Sequence, residues 1–536
     1  MIPPRILPPL STGLLLASLA AYFAFAQDDE TPTQQEKAVT NDAFVSLFDG
    51  ETLRGWEGDP KLWRVEDGAL TGETSDDDPI EYNSFLTWTG GELDDFHLKA
   101  EYRIFSGNSG IQVRSFKLDN PYAVGGYQAD IDAEGKWAGT NYGEKFRGIL
   151  AKRGQKAVIN EEGKAEVTGE LGDADELAKV IKPQDWNTYE IIARGHHIVC
   201  KINGTVMSEI TDEDTDTRRR AGLLALQLHR GPAMKVQFRN IQLKRLPLGD
   251  VKKIVYLAGK PSHPPRMHEH NAGSLLAAKL LNENHGDKVL VAPYLNGWPN
   301  DPSAFQNADA LVIQSDGGPR HPAFWHLRQI DYLREQGVGV GMIHYAVEMI
   351  PGETNDTLIA ATGGAFEINY SVNPHWDGKF EKLPEHPVAN GVEPFEIRDE
   401  WYFNMRFLPD MEGITPILSA VPPDETMARK DGHHSGNPEV REMVAKGLPQ
   451  HVCWVVDRKE DGGRGFGFTG LHFHDNWAND DFRKVVMNAV CWIAGVEIPE
   501  EGIETPTPSQ EQLDANLDPK PARKSKPAPK PKDKAA

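Results

Sequence analysis

Two groups of residues in this chain have the types and spacing that chemistry needs. The first is a set of histidines and carboxylates at the ends of apolar runs. His263, His268 and His270 stand in KPSHPPRMHEHN, Asp316 follows DALVIQS, His344 and Glu348 stand in GVGVGMIHYAVE, and His472 and His474 stand in GFTGLHFHDNW. Imidazoles so placed move protons near neutral pH or, given enough partners, hold a divalent ion. His472 and His474 share a face only while their strand continues through both. A metal site built on that pair then needs a third ligand, His268 or His344. Read singly, each histidine is the hydrogen-bonded rim of a pocket. The stretch DEWYF adds the Glu400 carboxylate and the Trp401 ring.

The second group is a polar row on alternating strands. GIQVRSF presents Gln112 and Arg114 on one side, and YQADID presents Gln128, Asp130 and Asp132. In LLALQLHRG, Leu224, Leu226 and Leu228 point one way while Gln227 and His229 point the other. By alternation alone this is one wet face of a sheet.

The elements that must position these groups fall into two blocks. Residues 43–247 read as short strands with glycine-rich turns. FHLKAEYRI alternates apolar and polar side chains from Phe96 to Ile104, and Asn203-Gly204 between apolar runs is a hairpin signal, because both residues tolerate positive φ. Such a pattern predicts a β-sandwich or jelly roll. Residues 252–497 alternate instead between buried apolar strands (KKIVYLAG, ADALVIQ, GVGVGMI, HVCWVVD, GRGFGFTGLHFH) and helices (AGSLLAAKLLNE, AFWHLRQIDYLREQ, DDFRKVVMNAVCWIAG). Strand–helix alternation predicts a parallel, doubly wound α/β sheet, whose strand ends converge on a ligand crevice. The boundary falls near PLGDVKK, residues 247–253.

The flanks carry other signals. Residues 1–26 combine an early arginine, an apolar stretch and Ala24-Phe25-Ala26, the pattern of a secretory signal peptide cut before Gln27. An exported protein, periplasmic or extracellular, is therefore expected, with residues 27–42 as a disordered lead. Residues 504–536, rich in Pro, Lys and Ala, read as a disordered tail whose basic charge suits an anionic envelope component. Over 536 residues the formal net charge is -23, which argues against a nucleic-acid partner. The three cysteines, Cys200, Cys453 and Cys491, make no disulfide framework and no metal-ligand pair, and read as buried thiols.

Four ordered motifs in the first block, FVSLFDGETLRGW, NSGIQVRS, GGYQADI and FRNIQLK, together resemble the 3-keto-disaccharide hydrolase family. The resemblance covers nearly all of residues 43–247 and implies a concanavalin-like jelly roll acting on glycosides already oxidised at C3. A C3 ketone acidifies the C2–H, so a base removes that proton, the C1 aglycone leaves, and water adds back. This chemistry needs a base near neutral pKa and a donor to the developing enolate, rather than the carboxylate pair of an oxocarbenium mechanism. On this reading Asp130 or His229 is the base and Arg114 holds the enolate oxygen. Gln112, Gln128 and Gln227 grip hydroxyls, and Tyr127, Trp137 and Tyr142 stack on sugar faces. The substrate class is an oligosaccharide or glycoside.

GVGVGMIHYAVE and GRGFGFTGLHFHDNW, with DALVIQSDGG, look like the ThuA-like, trehalose-utilisation family, whose flavodoxin-like fold is related to class I glutamine amidotransferases. Those enzymes carry a catalytic Cys on the turn after a central strand. Here that turn reads Met342-Ile343-His344-Tyr345, so glutaminase chemistry is not expected. His472 resembles the surviving histidine of such a pair, facing His344 across a crevice. No cofactor is certain, although a divalent metal fits the second block. No nicotinamide or flavin motif is evident, so the prior oxidation falls to a separate sugar 3-dehydrogenase. The other reading is non-catalytic: a carbohydrate-binding module joined to a degenerate amidotransferase-like scaffold.

Overall fold

The computed structural model describes residues 43–520. The expected signal peptide, the lead up to residue 42 and the last sixteen residues of the tail lie outside the described residues.

The first unit is a jelly-roll-like sandwich of a ten-stranded and a seven-stranded sheet. Strand Phe96–Ser106 shows how sequence builds it: Phe96, Leu98, Ala100, Tyr102 and Ile104 are buried, and the residues between them are not. Pairing is antiparallel apart from Gln155–Ile159, which runs parallel to Thr205–Asp212. Asn203 and Gly204 adopt φ of 50° and 82° between strands His197–Ile202 and Thr205–Asp212, the positive-φ hairpin turn their side chains allow. The seven-stranded sheet carries the polar row. Its middle strands are Asn108–Lys117, Val124–Asp132, Asn141–Glu144 and Leu223–Leu228.

The second unit is a seven-stranded sheet ordered Val289–Tyr294, Lys252–Ala258, Ala310–Gln314, Gly339–Ile343, Arg464–Phe468, Gln450–Asp457, Ile414–Ala420. The first five strands are mutually parallel and the last two pair antiparallel. The chain passes from Lys252–Ala258 to one neighbour, Val289–Tyr294, and then crosses to the other, Ala310–Gln314. That reversal is the switch point at which open α/β sheets bind ligands. Helix Asp480–Ile493 packs on this sheet through Phe482, Val485, Val486, Ala489 and Ile493. The Asn479 side chain caps it by accepting from the Phe482 amide at 2.9 Å, with Asp480 and Asp481 favourably placed at the positive helix end. The three cysteines are buried and unpaired.

The units are joined by buried charge. Asp94 of the sandwich accepts from Lys253 Nζ at 2.7 Å and lies 3.1 Å from Arg245, which also meets Asp301 at 2.7 Å. Burial opposes ionisation of Asp94, but Arg245 and Lys253 beside it hold the carboxyl below the usual range.

Two expectations change. GRGFGFTGLHFH is not one strand, because pairing stops at Phe468 and His474 begins a short 3-10 turn. The tail does not leave the fold at residue 504. Ile503 and Leu513 are buried, Gln510–Asp514 is a helix with a Ser509 capping box, and Lys520 Nζ lies 3.1 Å from the buried Glu269. The Pro- and Lys-rich composition hid these few apolar and ionic anchors.

Candidate functional site

On the sandwich, strand alternation sends Gln128, Asp130 and Asp132 to one side and Tyr127, Ala129 and Ile131 into the core. The polar side is not wet along its length. Gln112 Nε2 donates to Gln128 Oε1 at 2.8 Å, Gln128 Nε2 donates to Asp130 Oδ1 at 2.8 Å, and Ser115 Oγ donates to Gln112 Oε1 at 2.6 Å. Gln227 Oε1 lies 3.4 Å from Gln128 Nε2, and its own Nε2 is buried without a partner. Gly110 leaves room for this row, since a Cβ there would sit 2.6 Å from the Gln128 side chain.

The row ends in a cleft of about 250 Å³ lined by Gln128, Asp130, Trp137, Tyr142 and His229. Asp132 braces its wall by accepting from the Trp137 amide at 2.9 Å. Asp130 is 6% exposed, and burial, helped by the charges of Glu144 and Asp132, pushes its carboxyl up to about 7 despite the bond from Gln128. Burial and the charges of Glu144 and Asp130 raise Tyr142, so its hydroxyl stays protonated as a donor. The cleft therefore holds a carboxylate that exchanges protons near neutrality, beside neutral donors and an indole.

Gln112 and Gln227, expected to grip hydroxyls, are fully buried behind Gln128 and do not line the cleft, and two further expected residues lie elsewhere. Arg114 does not face the cleft. The register of its strand shifts between Val113 and Phe116, and Arg114 itself takes φ of 47°, so its side chain turns away. There its guanidinium donates to Asp95 Oδ1 at 2.7 Å and to the carbonyls of Asp94 and Gly195. Tyr127 is 2% exposed and its hydroxyl bonds Asp212, so it stacks on no ligand. Asn108 and Glu144, both lining the cleft, were not anticipated. Asn108 opens the strand of GIQVRSF, where alternation carries little information, and Glu144 ends a short strand, Asn141–Glu144, that the sequence did not reveal.

In the α/β unit the histidines do converge, though not as the strand pattern implied. His268 follows the first strand, Asp316 the third in chain order, and His344 ends its strand on a sharp turn at φ of 57°. His263, His268 and Leu471 also take positive φ, so the backbone is strained on three sides of one point. The His268 amide donates to the His472 carbonyl, and the Leu471 and His472 amides donate to buried Asp399, which fixes the late loop against the early one. Burial pushes the Asp399 carboxyl up to about 6 against those bonds.

His268 Nε2 lies 3.0 Å from His344 Nε2 and 3.0 Å from His472 Nδ1, and His472 Nδ1 lies 3.1 Å from Glu400 Oε2. These four residues form a group able to hold an ion. Asp316 Oδ1 stands behind His268 Nδ1 at 2.8 Å, and the Thr469 carbonyl behind His344 Nδ1 at 2.9 Å. Asp316 is also reached by Ser262 Oγ at 2.7 Å and His270 Nε2 at 3.3 Å. Burial, with His270, His263 and His472 nearby, pushes His268 down to about 3 in spite of Asp316, and burial holds His344 well below its usual value. His263 stacks on His268 at the exposed side, ring centroids 3.6 Å apart.

His474 is not in this group. Its Nε2 meets the Leu513 carbonyl at 3.0 Å, because the strand that would have aligned it with His472 has already ended. Glu348 is paired with His434 at 2.9 Å. Trp401 is fully buried against Phe380, Phe468 and Phe482, a core residue rather than a stacking ring. Sequence reading missed His434, Tyr402 and Arg429, which line the adjoining cleft of about 570 Å³ with His268 and Glu400. A cavity of about 1120 Å³ lies between the units and contains neither cluster.

Residues 43–244 match the family model described as a 3-keto-alpha-glucoside-1,2-lyase-like domain. No curated protein matches the chain. Among solved structures, a glycosyl hydrolase candidate from Parabacteroides distasonis is 19% identical, with 41% of this chain and 100% of that one covered and a TM-score of 0.27. The carbohydrate binding module CBM66 from Bacillus subtilis is 18% identical, with coverage of 35% and 95% and a TM-score of 0.25. A thua-like protein from Bacteroides uniformis is 15% identical, with coverage of 46% and 91% and a TM-score of 0.32.

Proposed function

We propose that the sandwich cleaves glycosides bearing a ketone at C3, with Asp130 as the base. The observation that carries this reading is the Asp130 carboxyl, raised to about 7 in a cleft that also offers neutral donors and an indole face. The match of residues 43–244 to a 3-keto-glucoside lyase-like model supports the substrate class.

Asp130 takes the C2 proton, and the electron pair moves onto the C3 oxygen as an enolate. Tyr142 or His229 donates a hydrogen bond to that oxygen, the role expected of Arg114 before its place was known. The enolate then re-forms the C3 carbonyl, the pair becomes a C1–C2 double bond, and the C1–O bond breaks. The aglycone leaves with one proton. Water adds to C1 and a proton returns to C2, so the net change is hydrolysis. Trp137 at the rim covers the sugar face, and Gln128, fixed by Gln112, presents its remaining capacity to hydroxyls. The oxidation at C3 is supplied by a separate dehydrogenase, and the protein is exported.

Incubating the full chain with a 3-keto-disaccharide and following free sugar tests this reading. Release is expected from the parent and not from Asp130→Asn. Tight binding of the unoxidised glycan with no turnover of the ketone overturns it in favour of a binding module.

A further inference from the structure

We propose that His268, His344, His472 and Glu400 form a divalent transition-metal centre, of the zinc class, opening onto the cleft of the α/β unit. The argument begins with which nitrogen carries each proton. The Thr469 carbonyl can only accept, so His344 Nδ1 bears hydrogen and His344 Nε2 is a bare lone pair. Asp316 Oδ1 already accepts from Ser262 Oγ at 2.7 Å and faces His268 Nδ1 at 2.8 Å, so His268 Nδ1 bears hydrogen as well. Both Nε2 lone pairs therefore point at each other across 3.0 Å. His472 Nδ1 and Glu400 Oε2 complete the set from the other side.

Four donor atoms converge with nothing cationic among them. A proton on one Nε2 joins only one pair of them, whereas a cation at the centre serves all four. The edges support this: 3.0, 3.0, 3.1 and, from His344 Nε2 to Glu400 Oε2, 3.7 Å. Ligands about 2.0–2.1 Å from a tetrahedral ion are roughly 3.4 Å apart. Three imidazoles and one carboxylate suit zinc or a neighbouring late first-row ion rather than magnesium or calcium. The Asp316–His268 and Thr469–His344 contacts are the outer bonds that orient metal-bound imidazoles. His472 turns Nδ1 into the group and leaves its Nε2 buried without a partner.

The centre is reached from the cleft past His268, Glu400 and Tyr402, with Arg429 and Asn373 on the far wall. An oxygen donor entering by that opening would add to the ion as a fifth ligand.

The test uses the full chain and needs no sugar turnover, so it stands apart from the reaction proposed for the sandwich. The apoprotein, prepared with a chelator, is titrated with Zn²⁺ by calorimetry and with Co²⁺ by visible absorption. One ion per chain is expected, with the intense bands of low-coordinate cobalt, and acetohydroxamate, adding as a further ligand, should shift those bands. Glu400→Gln and His344→Ala should lose the cobalt bands. Asp316→Asn, which touches no ion, should weaken binding about 10- to 100-fold. His474→Gln should bind as the parent does. Thermal unfolding with and without Zn²⁺ separates lost binding from lost folding, because only a folded binder is stabilised by the ion. Substoichiometric binding by the parent, or unchanged binding in folded Glu400→Gln and Asp316→Asn, overturns the proposal.

Discussion

Nε2 of His268 and Nε2 of His344 stand 3.0 Å apart, and the other nitrogen of each ring faces an oxygen that accepts. The two residues are 76 positions apart in the chain. Parallel strands bring them together: each sits just beyond the carboxyl end of one, on either side of the strand Ala310–Gln314. The sheet thus creates a pair of facing acceptors that no local sequence signal encodes.

Asp130 sets the pH dependence of the sandwich. The base works ionised, so kcat/KM for a 3-keto-glycoside should rise with pH and level off above about 7. For stability the sign is opposite. A carboxyl raised on folding from 3.8 to about 7 contributes fully below the lower value and loses that contribution as pH rises through the upper one. Asp130→Asn should therefore be more stable than the parent at pH 8, by on the order of 2–4 kcal/mol. The difference should vanish below pH 4, and chemical denaturation across pH reads it directly.

Arg114 should prove structural. Arg114→Ala leaves Asp95 buried without its partner, at a cost of about 3–5 kcal/mol. Calorimetry should show a melting temperature lower by on the order of 10 °C. The folded fraction should keep its KM and kcat, whereas loss of an enolate donor would lower kcat.

Asp94 couples the two units. In Asp94→Ala, Lys253 and Arg245 both lose a buried counter-charge, and a penalty of about 3–5 kcal/mol is expected. The calorimetric transition should broaden or split as the units unfold separately. A single unshifted transition would show that Asp94 is not what couples them.

Lys520 straps the loop that carries His268. Its Nζ donates to the Met267 and His268 carbonyls and pairs with Glu269, which lies among buried groups. Lys520→Ala should speed amide hydrogen exchange around residues 263–270 by about tenfold or more while leaving core strands protected. Exchange confined to the tail itself would show that the strap carries no load.

Much was determined by sequence alone because the signals are local. Alternation at Phe96–Ile104, the Asn203-Gly204 turn and the apolar strands of the second block each reflect a single element's own periodicity, and the elements form as those periods require. The facing of Gln128 and Asp130 could likewise be counted along their strand, whereas Trp137 and Tyr142 were reached only through the family resemblance. Counting failed where the backbone leaves regular geometry. The register shift after Val113 turned Arg114 out of the polar row, and the end of pairing at Phe468 parted His474 from His472. Partners were beyond sequence for another reason. Which oxygen stands behind His268 or His344, and whether a lysine in a basic tail is buried beside Glu269, depends on contacts between residues 48, 125 and 251 positions apart. Those contacts set the tautomers, and the tautomers decide that four donors face one point.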